Sequence, residues 1–124
     1  MNQRILFVCS MNKLRSPTAE GVFATMRGIE VDSAGTAHDA HNPLTQENVS
    51  WATHIVCMED EHASHVRRRF RAHLRAKVIV LNIPDDYEYM DPSLIWKLEK
   101  TMGRWYQGQE KLNTALFDST PLSP

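Results

Sequence analysis

The sequence predicts an α/β fold, a single doubly wound domain in which a four-stranded parallel sheet carries helices on both faces. Short apolar runs with strand character alternate along the chain with amphipathic segments of helical length, a pattern typical of parallel sheets. The 124 residues are enough for one core, and 42% of them are hydrophobic. We therefore expect one domain over residues 1–118 and a frayed tail over residues 119–124.

Each predicted element follows from a local pattern. The first strand is the apolar run Ile5-Leu6-Phe7-Val8, and Ser16-Pro17 after it is typical of an N-cap and the first helical position. Gly28 ends that helix, and the apolar run Val78-Ile79-Val80-Leu81 predicts a fully buried fourth strand. In chain order we predict strands at 5–8, 29–33, 53–58 and 78–81, and helices at 17–26, 43–51, 59–74 and 92–117.

Composition narrows the range of partners and compartments. The formal net charge is −1, so the chain as a whole has no strong attraction to nucleic acid or to acidic membranes. No apolar run approaches membrane-spanning length, and the N-terminus lacks a signal-peptide pattern. The two cysteines, Cys9 and Cys57, do not make a disulfide framework. These features predict a cytoplasmic protein that binds no membrane, and they argue against nucleic acid as its main partner.

The most informative segment is the loop from Cys9 to Arg15, which follows the first strand and opens the first helix. Backbone N–H groups in such a loop converge on one point, and the helix dipole adds to their field. That field suits an anion and also stabilises a thiolate. The planar guanidinium of Arg15 can bind two oxygens of a phosphate. The pattern predicts a phosphate-binding loop after strand 1 and ester hydrolysis through a cysteinyl-phosphate.

A second loop, from Ile83 to Asp91, follows the fourth predicted strand. Ligands of parallel α/β folds bind at the carboxyl ends of the strands. Cys9 and this acidic loop both lie at such ends. We therefore expect the two loops to meet over one site.

Several short motifs recur together in one known family. They are Val8-Cys9, Asn12, Arg15-Ser16-Pro17, Ala19-Glu20, Ser33-Ala34-Gly35-Thr36, Val56-Cys57-Met58-Glu59 and Ile83-Pro84-Asp85-Asp86-Tyr87. With these motifs the chain resembles the low-molecular-weight protein tyrosine phosphatase family, in particular a compact bacterial branch of it. The resemblance implies a doubly wound parallel sheet and phosphomonoester hydrolysis that needs no metal or other cofactor.

Carried over residue by residue, the resemblance implies that Cys9 is the nucleophile and that Arg15 binds the transferring phosphoryl group. It also implies that Ser16 hydrogen-bonds the thiolate, that Asn12 holds the loop through left-handed backbone geometry, and that Asp85 is the general acid. The phosphate-binding residues implied by the match are Ser10, Met11, Asn12, Lys13, Leu14 and Arg15.

The chain departs from the family pattern at several positions. A glycine of the loop is Met11 here, and a second cysteine is Leu14, so no neighbouring thiol is available to protect Cys9 as a disulfide. The acid loop contains Asp-Asp-Tyr instead of Asp-Pro-Tyr, and Asp91-Pro92 follows six residues later. The middle of the chain is also shorter than in typical members.

The altered acid loop leaves the proton donor open. We favour Asp85, with Asp86 and then Asp91 as alternatives, because Asp91-Pro92 is also typical of an N-cap and first helical residue. Tyr87 and Tyr89 would lie on one side of an extended loop and line the substrate channel. Packing of these tyrosines against the last helix is the alternative.

Other chemically suggestive residues have simpler interpretations. Cys57 lies in an apolar run and is expected to be inert core. Val66, Phe70 and Leu74 recur at helical spacing and predict a buried stripe on helix 60–74. The arginines of this helix form either a solvated face or a docking patch for an acidic protein or nucleic acid. No pair of histidines has an obvious third ligand, so we predict no metal.

The sequence thus predicts a phosphatase, most simply a protein tyrosine phosphatase that acts on phosphorylated protein. Inorganic phosphate or sulfate is expected to bind in the same loop. Two alternatives remain open. One is a module that binds phosphate or phosphotyrosine without hydrolysing it, and the other is a phosphatase for a small-molecule or RNA phosphate.

Overall fold

A computed structural model describes residues 3–107 of the chain. The elements are β1 (Gln3–Cys9), α1 (Arg15–Phe23), β2 (Ile29–Gly35), α2 (Gln46–Trp51), β3 (His54–Cys57), α3 (Asp60–Arg69), a 3-10 turn (Arg71–His73), β4 (Lys77–Val80) and α4 (Pro92–Gln107). The predicted tail at 119–124 and the predicted continuation of the last helix to residue 117 lie outside the described residues. The domain boundary at residue 118 therefore stays a prediction. Among the described helices, none is both long enough and apolar enough to cross a bilayer.

The four strands form one parallel sheet in the order β2-β1-β3-β4, which confirms the predicted fold class. Side chains alternate between the faces of a strand. In the central strand β1, Ile5 and Phe7 therefore pack with α1 and α4, whereas Leu6 and Val8 pack with α2 and α3. Helices cover both faces, and the carboxyl ends of all four strands lie along one edge of the sheet.

The predicted full burial of the fourth strand is wrong. β4 is an edge strand that pairs only with β3 among the described strands, and Val78, Ile79 and Val80 are half-buried. An apolar run indicates a strand but does not fix its place in the sheet. Because β4 lies at the edge of the sheet, no described strand covers its outer side, and its side chains are only partly buried.

The predicted start of α1 is also wrong. The helix begins at Arg15, and the residue before it is Leu14, so Ser16 is not the N-cap and Pro17 is the third helical residue. Proline is tolerated there because the first-turn N–H groups have no partner within the helix. The hydroxyl of Ser16 contacts the thiol of Cys9 and the amide of Asn12 instead of capping the helix.

Two further helices differ from the prediction in extent. α2 begins at Gln46, three residues later than predicted, because Thr45 and Asn48 form a capping box. The predicted helix 59–74 ends at Arg69 and is followed by a separate 3-10 turn. Val66 is buried there, and Phe70 and Leu74 are partly buried in the same core cluster, so the predicted stripe persists across the break. The arginines at the end of α3 are exposed.

Gly35 lets β2 and the loop after β1 approach closely. β2 extends to Gly35, which lies opposite Cys9 in the register. A Cβ at Gly35 would lie 2.5 Å from the carbonyl oxygen of Ser10 and 2.6 Å from the Cβ of Ala40. Just beyond Gly35, the N–H of Thr36 donates to the carbonyl of Cys9 at 2.9 Å. The first loop residues are thus held directly against the end of β2.

We expect Gly35→Ala to lower the free energy of unfolding by about 1–3 kcal/mol, because the added methyl overlaps backbone that cannot easily move. The matched control is Gly103→Ala in α4, where a Cβ would meet no atom within 4 Å. That control should raise the free energy of unfolding by about 0.5–1 kcal/mol through helix propensity. Denaturant unfolding followed by circular dichroism measures both. Equal stability of Gly35→Ala and the parent protein would contradict the close approach.

Candidate functional site

A pocket of about 160 Å³ lies at the carboxyl end of β1. Cys9 is the last residue of β1, and Arg15 is the first residue of α1, so residues 10–14 form the short connection between them. The residues that line the pocket are Cys9, Ser10, Met11, Lys13, Leu14, Arg15 and Asp85. The structure therefore brings the predicted loop together with one of the three candidate acids.

Asn12 is the one predicted loop residue that does not line the pocket. It is buried behind the loop, and its φ of 58° lies in the left-handed region, as its proposed holding function requires. Its side-chain amide donates to the hydroxyl oxygens of Ser16 and Ser33, each at 2.9 Å. Ser33 in turn donates to Glu20 at 2.5 Å. Asn12 thereby ties the loop to α1 and β2.

This hydrogen-bond chain fixes the direction of the Ser16 hydroxyl. The oxygen of Ser16 accepts from Asn12, and it lies 3.0 Å from the sulfur of Cys9. A hydroxyl that accepts on one side can direct its own hydrogen to the other. Ser16 is therefore set to donate to the sulfur of Cys9.

Arg15 is almost completely buried, with 2% of its surface exposed. Its Nη1 donates to the Oε1 of Glu59 at 2.8 Å and to the backbone carbonyl of Ile83 at 2.7 Å. Its Nε lies 3.8 Å from the Oδ1 of Asp85. Because both Nη1 hydrogens point to protein oxygens, a bound oxyanion would use the Nε and Nη2 edge of the guanidinium.

The three candidate acids have different surroundings. Asp85 lines the pocket and is 62% exposed, whereas Asp86 is exposed and lies outside the pocket lining. The carboxylate of Asp91 accepts from the N–H of Ser93 at 2.9 Å, at the start of α4. This bond is the N-cap arrangement that Asp91-Pro92 suggested. Of the three, Asp85 is the one placed beside Cys9 and Arg15.

The two tyrosines of the acid loop do not line this pocket. Tyr87 is partly buried against the core and lines a separate groove with residues of α4, among them Trp96 and Lys97. Tyr89 is 56% exposed. After it the chain turns at Met90, whose φ is 60° and whose N–H donates to Thr18 at 2.9 Å. The loop is therefore fastened to α1 beyond Tyr89.

Two site residues were not predicted from the sequence as part of this pocket. Glu59, the partner of Arg15, precedes α3, and His62 lies in the first turn of that helix. The Nε2 of His62 lies 2.9 Å from the hydroxyl of Ser10, and its Nδ1 accepts from the N–H of Glu59 at 3.0 Å. Only the position of Glu59 in the sequence could have indicated its role. It follows the carboxyl end of β3, and the carboxyl ends of parallel strands lie at the same edge of the sheet as Cys9.

The pKa values of two buried groups show how their environments differ. Burial lowers the pKa of His62, and the positive charge of Arg15 lowers it further, against opposing effects of Glu61 and Glu59. Burial raises the pKa of the Cys57 thiol to about 12. Cys57 lies in the core cluster under α2 and α3 and is not among the residues that line the pocket, in agreement with its expected inert character.

One cluster of possible metal ligands occurs among residues 3–107. Ligand atoms of Glu59, Glu61 and His62 lie within 4.8 Å of one another. The carboxylate of Glu59 pairs with Arg15, and both nitrogens of His62 have hydrogen-bond partners. The contacts of Glu59 and His62 are thus directed at the loop from Cys9 to Arg15 and at the start of α3.

Comparison with known proteins supports the resemblance drawn from the motifs. Residues 4–53 match the family model described as low molecular weight phosphotyrosine protein phosphatase. A curated protein-arginine-phosphatase of Geobacillus stearothermophilus is 31% identical, and the match covers 56% of this chain and 64% of that protein. The chain thus matches less than two thirds of the length of this curated relative. The predicted family resemblance is confirmed.

Solved structures show the same fold over most of the chain. The YwlE arginine phosphatase from Geobacillus stearothermophilus is 24% identical with a TM-score of 0.67, and the match covers 98% of this chain and 97% of that one. The tyrosine phosphatase Wzb from Escherichia coli K30, solved with phosphate, is 20% identical with a TM-score of 0.68, covering 89% and 100%. A low molecular weight phosphatase from Streptococcus pyogenes is 15% identical with a TM-score of 0.71, covering 88% and 94%.

Proposed function

We propose that this protein is a cysteine-dependent phosphomonoester hydrolase with Cys9 as nucleophile and Asp85 as general acid. The observation that carries the proposal is one pocket whose lining residues include Cys9, Arg15 and Asp85. A thiol nucleophile, a bidentate phosphate ligand and a proton donor are the three groups that hydrolysis through a cysteinyl-phosphate needs. The family resemblance of residues 4–53 supports the same chemistry.

The first step transfers the phosphoryl group to the enzyme. The Cys9 thiolate attacks phosphorus, a P–S bond forms, and the bond between phosphorus and the leaving oxygen breaks. Asp85 gives its proton to that oxygen, so the product leaves as a neutral alcohol or phenol. The hydroxyl of Ser16, 3.0 Å from the sulfur, is the hydrogen-bond donor to Cys9 in this step.

The second step returns the enzyme to its starting state. The Asp85 carboxylate accepts a proton from water as the water oxygen attacks phosphorus. The P–S bond breaks, inorganic phosphate is released, and Cys9 is again a thiolate. In both steps the loop N–H groups and Arg15 stabilise charge on the three equatorial oxygens without having to reorganise.

Glu59 and the carbonyl of Ile83 keep Arg15 in the orientation that this chemistry needs. The Nη1 of Arg15 donates to Glu59 at 2.8 Å and to the Ile83 carbonyl at 2.7 Å. The edge formed by Nε and Nη2 is therefore left for two phosphate oxygens. Lysine keeps the charge but lacks the planar fork. The geometry thus supports a requirement for arginine at position 15.

Phosphotyrosine in protein is the substrate that we favour. Met11 and Leu14 contribute apolar side chains to the pocket wall, which suits the aromatic ring of a phosphotyrosine. A second candidate is phosphoarginine in protein, favoured by the curated relative named protein-arginine-phosphatase. In that case the bond that breaks is P–N, and Asp85 would protonate a guanidinium nitrogen.

We expect hydrolysis of p-nitrophenyl phosphate to persist with a chelator and to disappear in Cys9→Ser. The hydroxyl of serine is a much weaker nucleophile than a thiolate, and no step of the proposed reaction uses a metal. Continuous release of p-nitrophenolate measures the rate. Cys57→Ala is the matched control and should keep activity, because Cys57 lies outside the pocket. A folded parent protein that binds phosphate but does not hydrolyse the ester would instead favour the binding module.

A panel of four substrates tests the substrate class. It contains one peptide sequence with phosphotyrosine, the same sequence with phosphoarginine, a small alkyl phosphate and an RNA 5′-phosphate. Phosphate release gives kcat/KM for each. We expect phosphotyrosine to give the highest value because its ring can pack on Met11 and Leu14. A higher value for phosphoarginine would select the second candidate, and a higher value for the alkyl or RNA phosphate would exclude protein as the preferred substrate.

Asp85→Asn should lower kcat by about 100-fold or more for an alkyl phosphate, the usual scale of general acid catalysis. The loss should be smaller for p-nitrophenyl phosphate, because its leaving group departs without a proton. Asp86→Asn is the matched control on the neighbouring residue, which lies outside the pocket lining. For each ester, we compare the loss of kcat in Asp85→Asn with the loss in Asp86→Asn. A larger loss in Asp86→Asn would transfer the role to Asp86.

A further inference from the structure

Ser10 and His62 form a hydrogen-bonded pair at the wall of the phosphate pocket. Ser10 lines the pocket next to Cys9, and its hydroxyl lies 2.9 Å from the Nε2 of His62. His62 is 1% exposed and approaches from α3. This contact joins the loop after β1 to α3, the helix that follows β3.

The second nitrogen of His62 determines the tautomer. Its Nδ1 accepts the backbone N–H of Glu59 at 3.0 Å, so Nδ1 carries no hydrogen. A neutral imidazole then has its hydrogen on Nε2. His62 therefore donates to the oxygen of Ser10, and the hydroxyl hydrogen of Ser10 is directed away from the ring.

The surroundings of His62 favour its neutral form on balance. Burial and the nearby guanidinium of Arg15 keep the pKa of the imidazole below its ordinary value, with His65 adding a smaller lowering effect. Glu61 and Glu59 oppose this shift. The neutral ring is the form that can accept from Glu59 and donate to Ser10 at once.

We propose that His62 is a positioning residue that holds the hydroxyl of Ser10 as a hydrogen-bond donor to the oxyanion in the pocket. The inference rests on the proposed function of that pocket as a phosphate site. Ser10 already accepts from the N–H of Ala37 through its backbone carbonyl at 3.0 Å, so its main chain is fixed independently. His62 adds the orientation of the side chain. The pocket thus gains a side-chain donor beside the backbone N–H groups and Arg15.

Two substitutions separate this role from a structural role in α3. His62→Asn keeps an acceptor for the N–H of Glu59, as Asn48 does for Thr45 at the same position of α2, at 2.8 Å. It is too short to keep the contact with Ser10. His62→Gln keeps both functions, because its amide carries an acceptor and a donor on one carbon, spaced as in the imidazole.

The test measures affinity for inorganic phosphate by calorimetry on the full chain. Loss of one hydrogen bond to a charged acceptor should weaken binding about tenfold in Ser10→Ala. His62→Asn should weaken it by a similar factor, and the double variant should be no weaker than either, because both remove the same interaction. His62→Gln should stay within about threefold of the parent protein. Ser64→Ala, on the exposed face of α3, is the matched control.

Each outcome has a distinct meaning. The role of His62 would be overturned if His62→Asn bound phosphate as the parent protein does, or if the losses in the double variant were additive. The role of Ser10 would be overturned if Ser10→Ala bound phosphate as the parent protein does. Thermal unfolding of each variant identifies any loss that comes from α3 itself, and Ser10→Ala tests the donor without changing that helix. Phosphate binding with the expected pattern but without ester hydrolysis would refute the proposed enzyme while supporting this pair. A parent protein that does not bind phosphate would refute both.

Discussion

The site depends on the hydrogen bonds that hold the buried guanidinium of Arg15. A charge removed from water is costly unless it is paired and hydrogen-bonded. The partners of Arg15 come from distant parts of the chain, Glu59 after β3 and the carbonyl of Ile83 after β4. The hydrogen bonds of this one buried charge therefore fix the ends of β1, β3 and β4 relative to one another. It also leaves one edge of the guanidinium directed at the pocket.

Polar contacts behind the loop complete this arrangement. Asn12 adopts a left-handed conformation and distributes its two amide hydrogens between Ser16 and Ser33. Ser16 is thereby turned toward the sulfur of Cys9. Because each hydroxyl in this chain accepts from one neighbour and donates to the next, its orientation is set by the network and not by solvent. The sulfur of Cys9 therefore faces a hydroxyl donor whose direction is already set.

The loop from Ile83 to Asp91 is held separately from the loop between Cys9 and Arg15. Its N-terminal part follows β4 and contributes Ile83 and Asp85 to the surroundings of Arg15, while its C-terminal part is tied to Thr18 of α1 through Met90. The intervening residues reach toward solvent, and Tyr87 turns to the groove beside α4. The same loop thus supplies a fixed partner for Arg15 and an exposed carboxylate beside the pocket, which is the position that the proposed proton donor requires.

The sequence by itself determined the fold class, through the alternation of apolar runs and helical segments, and it determined that a loop from Cys9 to Arg15 joins the first strand to the first helix. An apolar run, the spacing from Cys9 to Arg15 and a proline in the first helical turn are all contained in about twenty residues. It did not determine that β4 is a half-buried edge strand, that Ser16 faces the cysteine instead of capping α1, or that Phe70 interrupts the third predicted helix. Only the tertiary structure decided that Glu59 and His62 reach the loop. Their contacts join residues more than forty positions apart, and such pairings arise from how the sheet orders its strands and not from any local pattern.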